Sequence, residues 1–382
     1  MADMPADPNS GAAGTEYLTI KALGTLGHEV DAIWSDGLPR RIRHGNIHYL
    51  LELPFAYEHR MLERLRSADY DVVHVNQPHG YRAARTLARL NRRTIFIHRS
   101  HGFELRVERD LKPWKERYDK DNRLFLKRLA SRALTDALSY NCRSIARHAD
   151  GHIVYASQCG QFLQEELGVR KEQIAVIPAA SPNAFVESPA PTMTSERLKR
   201  VLYVSQFAFF KAPMIVAAVM NHLSETDSDL EFTWVCSKQH HADVRALLSE
   251  NVRTRVNLLD WKCQEELMHA YDAHGIFLFP SFFEGFGKVF LEAMSRGLCV
   301  VAADNSGAHD VISNGEDGIL VPTGSVDSMV NSCLRLLGDA ELASSISRAA
   351  AKTARSYTWD RVARETVAFY EDRIAAKAAR SK

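Results

Sequence analysis

The chain has 382 residues, of which 46% are hydrophobic and 25% charged, and its formal net charge is +1 at pH 7. These values are typical of an ordinary globular protein that is long enough for two hydrophobic cores. No apolar run approaches the roughly 18 residues of a membrane span, and no apolar signal core begins the chain, so we expect a cytoplasmic protein. The six cysteines lack the paired spacing of a zinc site or a disulfide scaffold, so we expect free thiols.

Short β-rich runs alternate with amphipathic stretches twice along the chain, as in parallel sheets covered by helices on both faces. The first set comprises residues 30–34, 71–75, 94–98, 151–155 and 174–177. The second set comprises residues 201–204, 232–235, 256–259, 275–279 and 299–302. Proline-rich residues 181–191 are interpreted as a linker between the sets. The pattern predicts two Rossmann-like, doubly wound halves, with ligands beyond the carboxyl ends of the strands.

Two glutamates eight positions apart mark the most informative segment. Glu284 and Glu292 lie in SFFEGFGKVFLEAM (281–294), directly after an apolar run that ends at Pro280. A strand–turn–helix unit of this kind offers free N–H groups to an anion, most often a phosphate. Eight helical residues advance about 12 Å, so the two carboxylates suit the two ends of a long ligand better than the roughly 5 to 9.5 Å of a hydrolytic pair. Two solvated glutamates on an ordinary helix are the alternative.

The sequence around these glutamates resembles the retaining glycosyltransferases of family 4. The resemblance runs in order through FPSFFEGFG (279–287), LEAMSRG (291–297), VVAAD (300–304) and NGEDGILVP (314–322), and more weakly from Gly11 to Tyr370. It implies an α/β GT-B fold, with two Rossmann-like domains facing across a cleft and a C-terminal helix that crosses back to the first domain. The expected ranges are 1–185 for the first domain, 186–355 for the second, and 356–382 for the helix and tail.

The resemblance also implies roles for residues of the glutamate motif. Glu284 would lie by the donor sugar and Glu292 would bind the nucleotide ribose. The turn residues would hold the sugar and the diphosphate; they are Gly285, Phe286, Gly287 and Lys288.

Two segments of the first half resemble loops of the same family. GAAG (11–14) is similar to the first glycine loop, which would bring the backbone of Gly11 and Gly14 to the donor phosphate or the acceptor; a simple helix cap and turn is the alternative. RSHGFE (99–104) is similar to the His-Gly loop, which would place His101 at the reaction centre.

A third segment departs from the family pattern. In VSQFAFFKAP (204–213), Lys211 matches the lysine that neutralises the departing diphosphate, but Gln206 stands where the family has an arginine. Glutamine cannot replace a fixed bidentate charge. The Gly-x-Gly expected after the next strand is absent as well, and Lys238 or Lys288 could supply charge to the same phosphates.

The implied reaction is glycosyl transfer from a nucleotide-diphosphate sugar to a glycan, lipid-linked or small-molecule acceptor, as in polysaccharide biosynthesis, with retained anomeric configuration. No metal or other cofactor is expected, and the aspartate pairs of 119–121 and 227–229 are interpreted as solvated. Gln206 leaves two alternatives open. One is a GT-B scaffold that binds nucleotide sugar or a partner without catalysis, and the other is a nucleotide-sugar epimerase.

Residues 81–147 are strongly basic, with 18 Lys or Arg against 7 Asp or Glu. Examples are Arg82, Arg92, Arg93, Lys112, Lys115, Lys127 and Arg128, with Trp114, Tyr118 and Phe125 interleaved. This segment predicts contact with an anionic membrane at its inner face or with a phosphorylated, lipid-linked acceptor. A solvated helical face is the alternative. Nucleic acid is not expected as a partner, because no recognition motif accompanies the charge.

The segment before Gly11 lacks the apolar strand that the family has there. ADMPADP (2–8) has no β propensity, so the first strand is expected to be missing. Such a strand would be central in a doubly wound sheet, and its absence leaves backbone groups unpaired. We therefore expect Met1 to be an internal methionine of a longer gene product, with a Val/Ile/Leu-rich strand encoded upstream.

Overall fold

A computed structural model of the chain describes residues 1–90, 93–118 and 125–380, apart from the side chains of residues 46 and 125–133. The chain forms two compact units, Met1–Pro178 with Asp360–Lys382, and Ala179–Trp359. The predicted C-terminal helix thus belongs to the first unit. The predicted domain boundary at residue 185 falls inside the second unit, where the ring of Phe185 packs on that of Tyr271 at a centroid distance of 5.6 Å.

The first unit is built on a four-stranded parallel sheet in the order β1-β2-β3-β4. The strands are β1 (Val72–Asn76), β2 (Ile95–Ser100), β3 (Gly151–Val154) and β4 (Ile174–Val176). The helices of its first segment are α1 (Ala12–Thr25), α2 (Gly45–Ile47), α3 (Leu53–Ser67), α4 (Tyr81–Leu90), α5 (Glu104–Tyr118), α6 (Phe125–His148) and α7 (Ser157–Leu167). A π-helical turn, His48–Glu52, joins α2 to α3.

The second unit is built on a six-stranded parallel sheet in the order β10-β9-β8-β5-β6-β7. The strands are β5 (Arg200–Val204), β6 (Glu231–Val235), β7 (Val256–Leu259), β8 (Ile276–Phe279), β9 (Cys299–Ala303) and β10 (Ile319–Val321). The helices are α8 (Asn183–Glu187), α9 (Ser195–Leu198), α10 (Pro213–Thr226), α11 (His241–Leu247), α12 (Glu250–Arg253), α13 (Gln264–Ala273), α14 (Lys288–Ser295), α15 (Ser306–Val311), α16 (Val326–Gly338) and α17 (Ala340–Ala354). Both sheets confirm the prediction of two Rossmann-like halves.

The last helix, α18 (Trp359–Arg380), is tied to the first sheet by polar contacts. The Tyr370 hydroxyl lies 2.5 Å from Nδ1 of His74 in β1. Lys377 Nζ donates to Thr94 O at 2.8 Å and lies 2.9 Å from Oδ2 of Asp150. These bonds link the end of the chain to residues more than two hundred positions earlier. No helix in the described ranges has the length and apolar character needed to cross a bilayer.

The predicted linker, residues 181–191, lies between β4 of the first sheet and β5 of the second. It contains α8, and Phe185 is buried. The guanidinium of Arg296 donates to the carbonyls of Ser188 at 2.8 Å and Pro189 at 2.9 Å. The buried side chain of Arg296 thus holds this stretch by hydrogen bonds. Neither the hydrophobic pattern nor the proline content of the sequence could predict those bonds.

Two strand predictions also differ from the structure. Residues 30–34 are extended but form no strand, because only residues 1–4 pair with this region, with hydrogen bonds from Ala2 N to Ile33 O and from Ser35 N to Met4 O. Conversely, β10 (Ile319–Val321) was not predicted.

No strand precedes α1 in residues 1–11 of the described chain. Instead, Met1 N donates to His74 O at 2.7 Å, and Asn76 N donates to Met1 O at 3.1 Å. A groove of about 780 Å³ lies beside these bonds, lined in part by Glu16 and residues 28–34. The expectation of an upstream strand stays a prediction.

Candidate functional site

Lys211 and Glu284 meet at the carboxyl ends of two neighbouring strands. Lys211 follows β5 and Glu284 follows β8, and these strands are paired in the sheet. The ammonium of Lys211 donates directly to Oε1 of Glu284. The side chain of Glu284 is only 6% exposed, whereas that of Lys211 is 16% exposed. The pair is a charge-assisted hydrogen bond whose cation is the more accessible partner.

Backbone and side-chain hydrogen bonds hold the loop of Lys211 and the loop of Glu284 together. Ser281 Oγ donates to the same Oε1 of Glu284 at 2.9 Å. Phe282 N donates to Phe210 O at 2.9 Å, which joins the glutamate loop to the lysine loop. Asn305 Nδ2 donates to Ser281 O at 2.8 Å from the segment after β9. Lys211 and Glu284 are therefore positioned by a rigid surrounding framework.

The turn between Glu284 and α14 requires glycine at Gly287. Its φ is +92°, and a Cβ there would lie 2.3 Å from the ring of Phe279. Among the residues that the structure describes, no acceptor receives a hydrogen bond from the N–H groups of Gly285, Phe286 or Gly287. Three free donors beside a lysine at a helix N-terminus are suited to an anion.

Glu292 occupies a different environment within α14. Its side chain is buried, and Tyr271 OH donates to Oε2 at 3.1 Å. Burial raises the pKa of the Glu292 carboxyl, while Lys288 and Tyr271 partly oppose that shift. Its role as a ribose ligand stays a prediction.

The other predicted donor residues of the second unit that carry a polar side chain follow β5 or β6 or open α14. Gln206 is exposed and follows β5 directly. Lys288 opens α14, and Lys238 follows β6, where its backbone N–H donates to Asp260. Gln206 is thus an exposed, uncharged side chain at the position where the resemblance predicts a cation.

In the first unit, His101 belongs to a buried polar cluster. His101 Nε2 lies 3.1 Å from Oε1 of Glu16, and Tyr155 OH donates to the same oxygen at 3.1 Å. Arg99 Nη1 lies 3.5 Å from Oε2 of Glu16 and 3.4 Å from Thr19 Oγ1. Arg99 Nη2 reaches Thr366 of α18 at 3.3 Å. The cluster joins β2, β3, α1 and α18.

The charges of this cluster depend on one another. Burial alone would raise the pKa of the Glu16 carboxyl, but Arg99 and His101 hold that pKa well below its usual value. Burial opposes the charge of Arg99, yet Tyr155 and Glu16 raise the pKa of its guanidinium. Arg99 and Glu16 thus each favour the charged form of the other inside the unit.

The two glycines of the first loop have different roles. A Cβ on Gly14 would lie 2.5 Å from Pro8 O, so this position needs glycine for close backbone approach. A Cβ on Gly11 would meet nothing within 4 Å. The packing explains Gly14, and ligand contact by either glycine stays a prediction.

Sequence reasoning missed Glu16, Arg99, Tyr155 and Tyr271. Arg99 carried a usable signal, because an arginine at the end of an apolar strand needs a buried partner. Glu16 follows the first glycine loop, but nothing in the sequence pairs it with a residue 83 positions away.

No group of three or more His, Cys, Asp or Glu side chains in the described ranges is placed to hold a metal ion. The predicted solvated residues 119–121 lie outside the described residues, as do Arg92 and the side chains of Phe125, Lys127 and Arg128.

Solved structures share the architecture. Sucrose-phosphate synthase from Thermosynechococcus elongatus is 19% identical, with a TM-score of 0.73 and coverage of 98% of each chain. Anabaena HepE, solved in complex with UDP and glucose, is 16% identical, with a TM-score of 0.67 and coverage of 96% of this chain and 97% of HepE. At these identities the likeness shows the fold, which is GT-B.

Proteins with similar sequences are named as sugar transferases. The D-inositol 3-phosphate glycosyltransferase of Corynebacterium glutamicum is 28% identical over 61% of this chain and 60% of its own length. An Escherichia coli UDP-Gal:alpha-D-GlcNAc-diphosphoundecaprenol alpha-1,3-galactosyltransferase is 24% identical over 72% of this chain and 68% of its own length. The first of these matches spans less than two thirds of the relative.

Family models match both halves of the chain. The model described as Glycosyltransferase Family 4 matches residues 10–180. The model described as Glycosyl transferases group 1 matches residues 198–339, which include Lys211, Glu284 and Glu292. The two matches agree with the two sheets, and the chain belongs to the family 4 glycosyltransferases.

Proposed function

We propose that this chain transfers a glycosyl group from a nucleotide-diphosphate sugar to a hydroxyl acceptor with retention of anomeric configuration. The observation that carries the proposal is the Lys211–Glu284 pair beside the three free amides of Gly285, Phe286 and Gly287. A diphosphate would satisfy those amides and bring two negative charges to the lysine.

The reaction breaks the bond between the anomeric carbon and the diphosphate oxygen. Negative charge grows on that oxygen while the sugar becomes oxocarbenium-like, so stabilising the leaving group lowers the barrier. Lys211 and the loop amides supply that stabilisation. The acceptor oxygen bonds to the anomeric carbon, and its proton passes to the departing phosphate.

The carboxylate of Glu284 is freed when Lys211 turns to the diphosphate. It then accepts hydrogen bonds from hydroxyls of the donor sugar and supports the positive charge that develops there. Glu292 would accept from the ribose hydroxyls, and His101, held by Glu16, would orient donor or acceptor. The phosphate charge is met by protein groups, so we propose that no metal ion is required.

The acceptor is proposed as a glycan or lipid-linked sugar. The matched Escherichia coli relative carries a diphosphoundecaprenol acceptor in its name, and the Corynebacterium glutamicum relative carries an inositol phosphate. Both acceptors bear phosphate, which agrees with the basic composition of residues 81–147.

Mass spectrometry of reaction products tests the proposal. UDP-, GDP- and ADP-sugars are incubated with the protein and a lipid extract, with and without EDTA. We expect one donor to yield a glycosylated lipid whose formation survives EDTA. Binding of a nucleotide sugar with no product would support the scaffold alternative, and conversion of the sugar without an acceptor would support the epimerase.

A further inference from the structure

Three apolar side chains are exposed on one helical stretch of the first unit. Ile47 is 45% exposed, Leu51 62% and Phe55 53%. They recur every four residues along α2, the π-helical turn and α3, a spacing that aligns side chains on one side of a helix. The other side of α3 is buried, with Tyr57 and Met61 in the core of the unit. We call Ile47, Leu51 and Phe55 the apolar ridge.

The apolar ridge continues onto the neighbouring helices. The guanidinium of Arg82, in α4, lies over the ring of Phe55 at 3.9 Å and is held there by Glu58 at 2.8 Å. The adjacent Tyr81 packs on Tyr140 of α6 at a ring centroid distance of 5.7 Å. Tyr140 is itself 55% exposed. One face of the unit therefore combines exposed apolar and aromatic groups with a cation.

Positive charge flanks the apolar ridge on both sides. Arg40, Arg41 and Arg43 precede α2 and are exposed. On the other side, α4 carries three arginines and no acidic residue. Glu52 lies within the ridge sequence, but its carboxylate accepts from the backbone N–H groups of Arg41 and Ile42 at 3.0 Å each. Glu52 is thus used internally and Glu58 is paired with Arg82, which leaves Arg40, Arg41 and Arg43 as cations without an acidic partner among the described residues.

We propose that the apolar ridge docks the first unit on an anionic phospholipid bilayer. Leu51 and Phe55 would enter the interface between headgroups and acyl chains, and the flanking arginines would contact the headgroup phosphates. A second copy of this chain fits less well, because its flanking arginines would face the same arginines of the first copy. The proposal is independent of sugar transfer, and it assigns the predicted membrane contact to residues that lie mainly before the basic segment.

Vesicle co-sedimentation of the full chain tests the docking surface. We expect binding to vesicles of phosphatidylcholine mixed with phosphatidylglycerol, weak binding to phosphatidylcholine alone, and release by salt. Leu51→Gln and Phe55→Gln should each lower the partition coefficient by about tenfold, because each removes an inserted side chain. The triple variant R40Q/R41Q/R43Q should lower binding to the anionic vesicles only, by about fivefold per arginine.

Matched controls come from the second unit. Trp261→Gln removes an apolar side chain that is 45% exposed, and R348Q/K352Q/R355Q removes the same charge. Neither control should change vesicle binding, and circular dichroism should confirm that every variant is folded. Equal binding of wild type and Leu51→Gln/Phe55→Gln to anionic vesicles would overturn the proposal. A dimer detected by light scattering that only this double variant dissociates, with no vesicle binding by wild type, would assign the ridge to a second copy instead.

Discussion

Each unit holds a buried carboxylate beside a cation at the carboxyl end of a parallel sheet, but the two pairs are built differently. In the first unit, Arg99 is fully buried and is bound by Thr19 and Thr366 as well as by Glu16. In the second, Lys211 is partly exposed and stands beside three unused amides. The arginine is enclosed by partners within the fold, whereas the lysine is accessible, and we propose that it exchanges Glu284 for a ligand.

This difference separates a structural ion pair from one that is available for chemistry. A buried pair that loses one partner leaves an uncompensated charge, and the cost is large. A partly exposed lysine loses less on changing partners, because water and ligand phosphate both solvate it. Arg99→Met and Lys211→Met each remove the cation of one pair. Glu292→Ala and Glu104→Gln change carboxylates that have no ion-pair partner among the described residues.

The largest expected effect is that of Arg99→Met, which leaves Glu16 buried without its guanidinium. We expect the first unit to lose about 3 to 5 kcal/mol of stability. Hydrogen exchange followed by mass spectrometry should show reduced protection of β2 and unchanged protection of β8. The double variant R99M/E16Q should recover part of the loss. Full protection of β2 in Arg99→Met would contradict the structural role of this pair.

Lys211→Met should act on turnover more than on stability. Loss of the cation at the leaving phosphates should lower kcat by about a hundredfold or more. Stability should fall by about 1 to 3 kcal/mol, because the buried carboxylate of Glu284 loses its cation and keeps only its hydrogen bond from Ser281. Lys352→Met, at an exposed lysine of α17, is the control for both measurements. Comparable turnover in Lys211→Met and the control would remove Lys211 from the mechanism.

Glu292→Ala tests a third carboxylate, which is buried like Glu16 and Glu284 but has no ion-pair partner among the described residues. If it holds the ribose, nucleotide binding should weaken by about 1 to 3 kcal/mol through lost hydrogen bonds, whereas Glu284→Ala should mainly lower turnover. Calorimetric titration with the nucleoside diphosphate measures this, with Glu316→Ala at an exposed glutamate as control. Unchanged affinity in Glu292→Ala would sink the ribose assignment.

Glu104 gives the smallest effect and the clearest pH dependence. Burial raises the pKa of its carboxyl from 4.5 to about 7, and its Oε2 has no hydrogen-bond partner among the described residues. Between these values the unfolded chain has lost a proton that the folded chain keeps, so stability falls as pH rises through the window. Glu104→Gln should remove that fall, amounting to roughly 1 to 2 kcal/mol between pH 5 and pH 8. Parallel pH profiles of urea unfolding for wild type and variant would contradict this.

Much of the fold could be predicted because parallel strands are continuous apolar runs. β8 and β9 are buried at every position, and the sequence shows both. Residues 30–34 are also mostly apolar, although they include Asp31, but they lack a full neighbouring strand, and strand formation depends on that neighbour. The packing of the stretch at 181–191 could not be predicted, because Arg296, more than a hundred residues later, donates hydrogen bonds to it.

The contacts of the candidate site also divide into those that follow from the predicted strands and those that depend on packing. Lys211 and Glu284 follow strands that the sequence predicts, and the carboxyl ends of neighbouring parallel strands lie at one edge of a sheet, but the sequence analysis did not predict their contact. The pairing of Glu16 with Arg99 and of Tyr271 with Glu292 depends on side-chain packing between separate helices and strands. No regular spacing in the sequence predicts that these residues will be in contact.

The most direct measurement titrates UDP, GDP and ADP into wild type, Lys211→Met and Glu284→Gln by calorimetry. The central claim is that the diphosphate takes Lys211 and the loop amides from Glu284. It predicts that Lys211→Met weakens binding of the preferred nucleotide by about tenfold or more, while Glu284→Gln binds it at least as tightly as wild type. Equal affinity of wild type and Lys211→Met for all three nucleotides would contradict the claim.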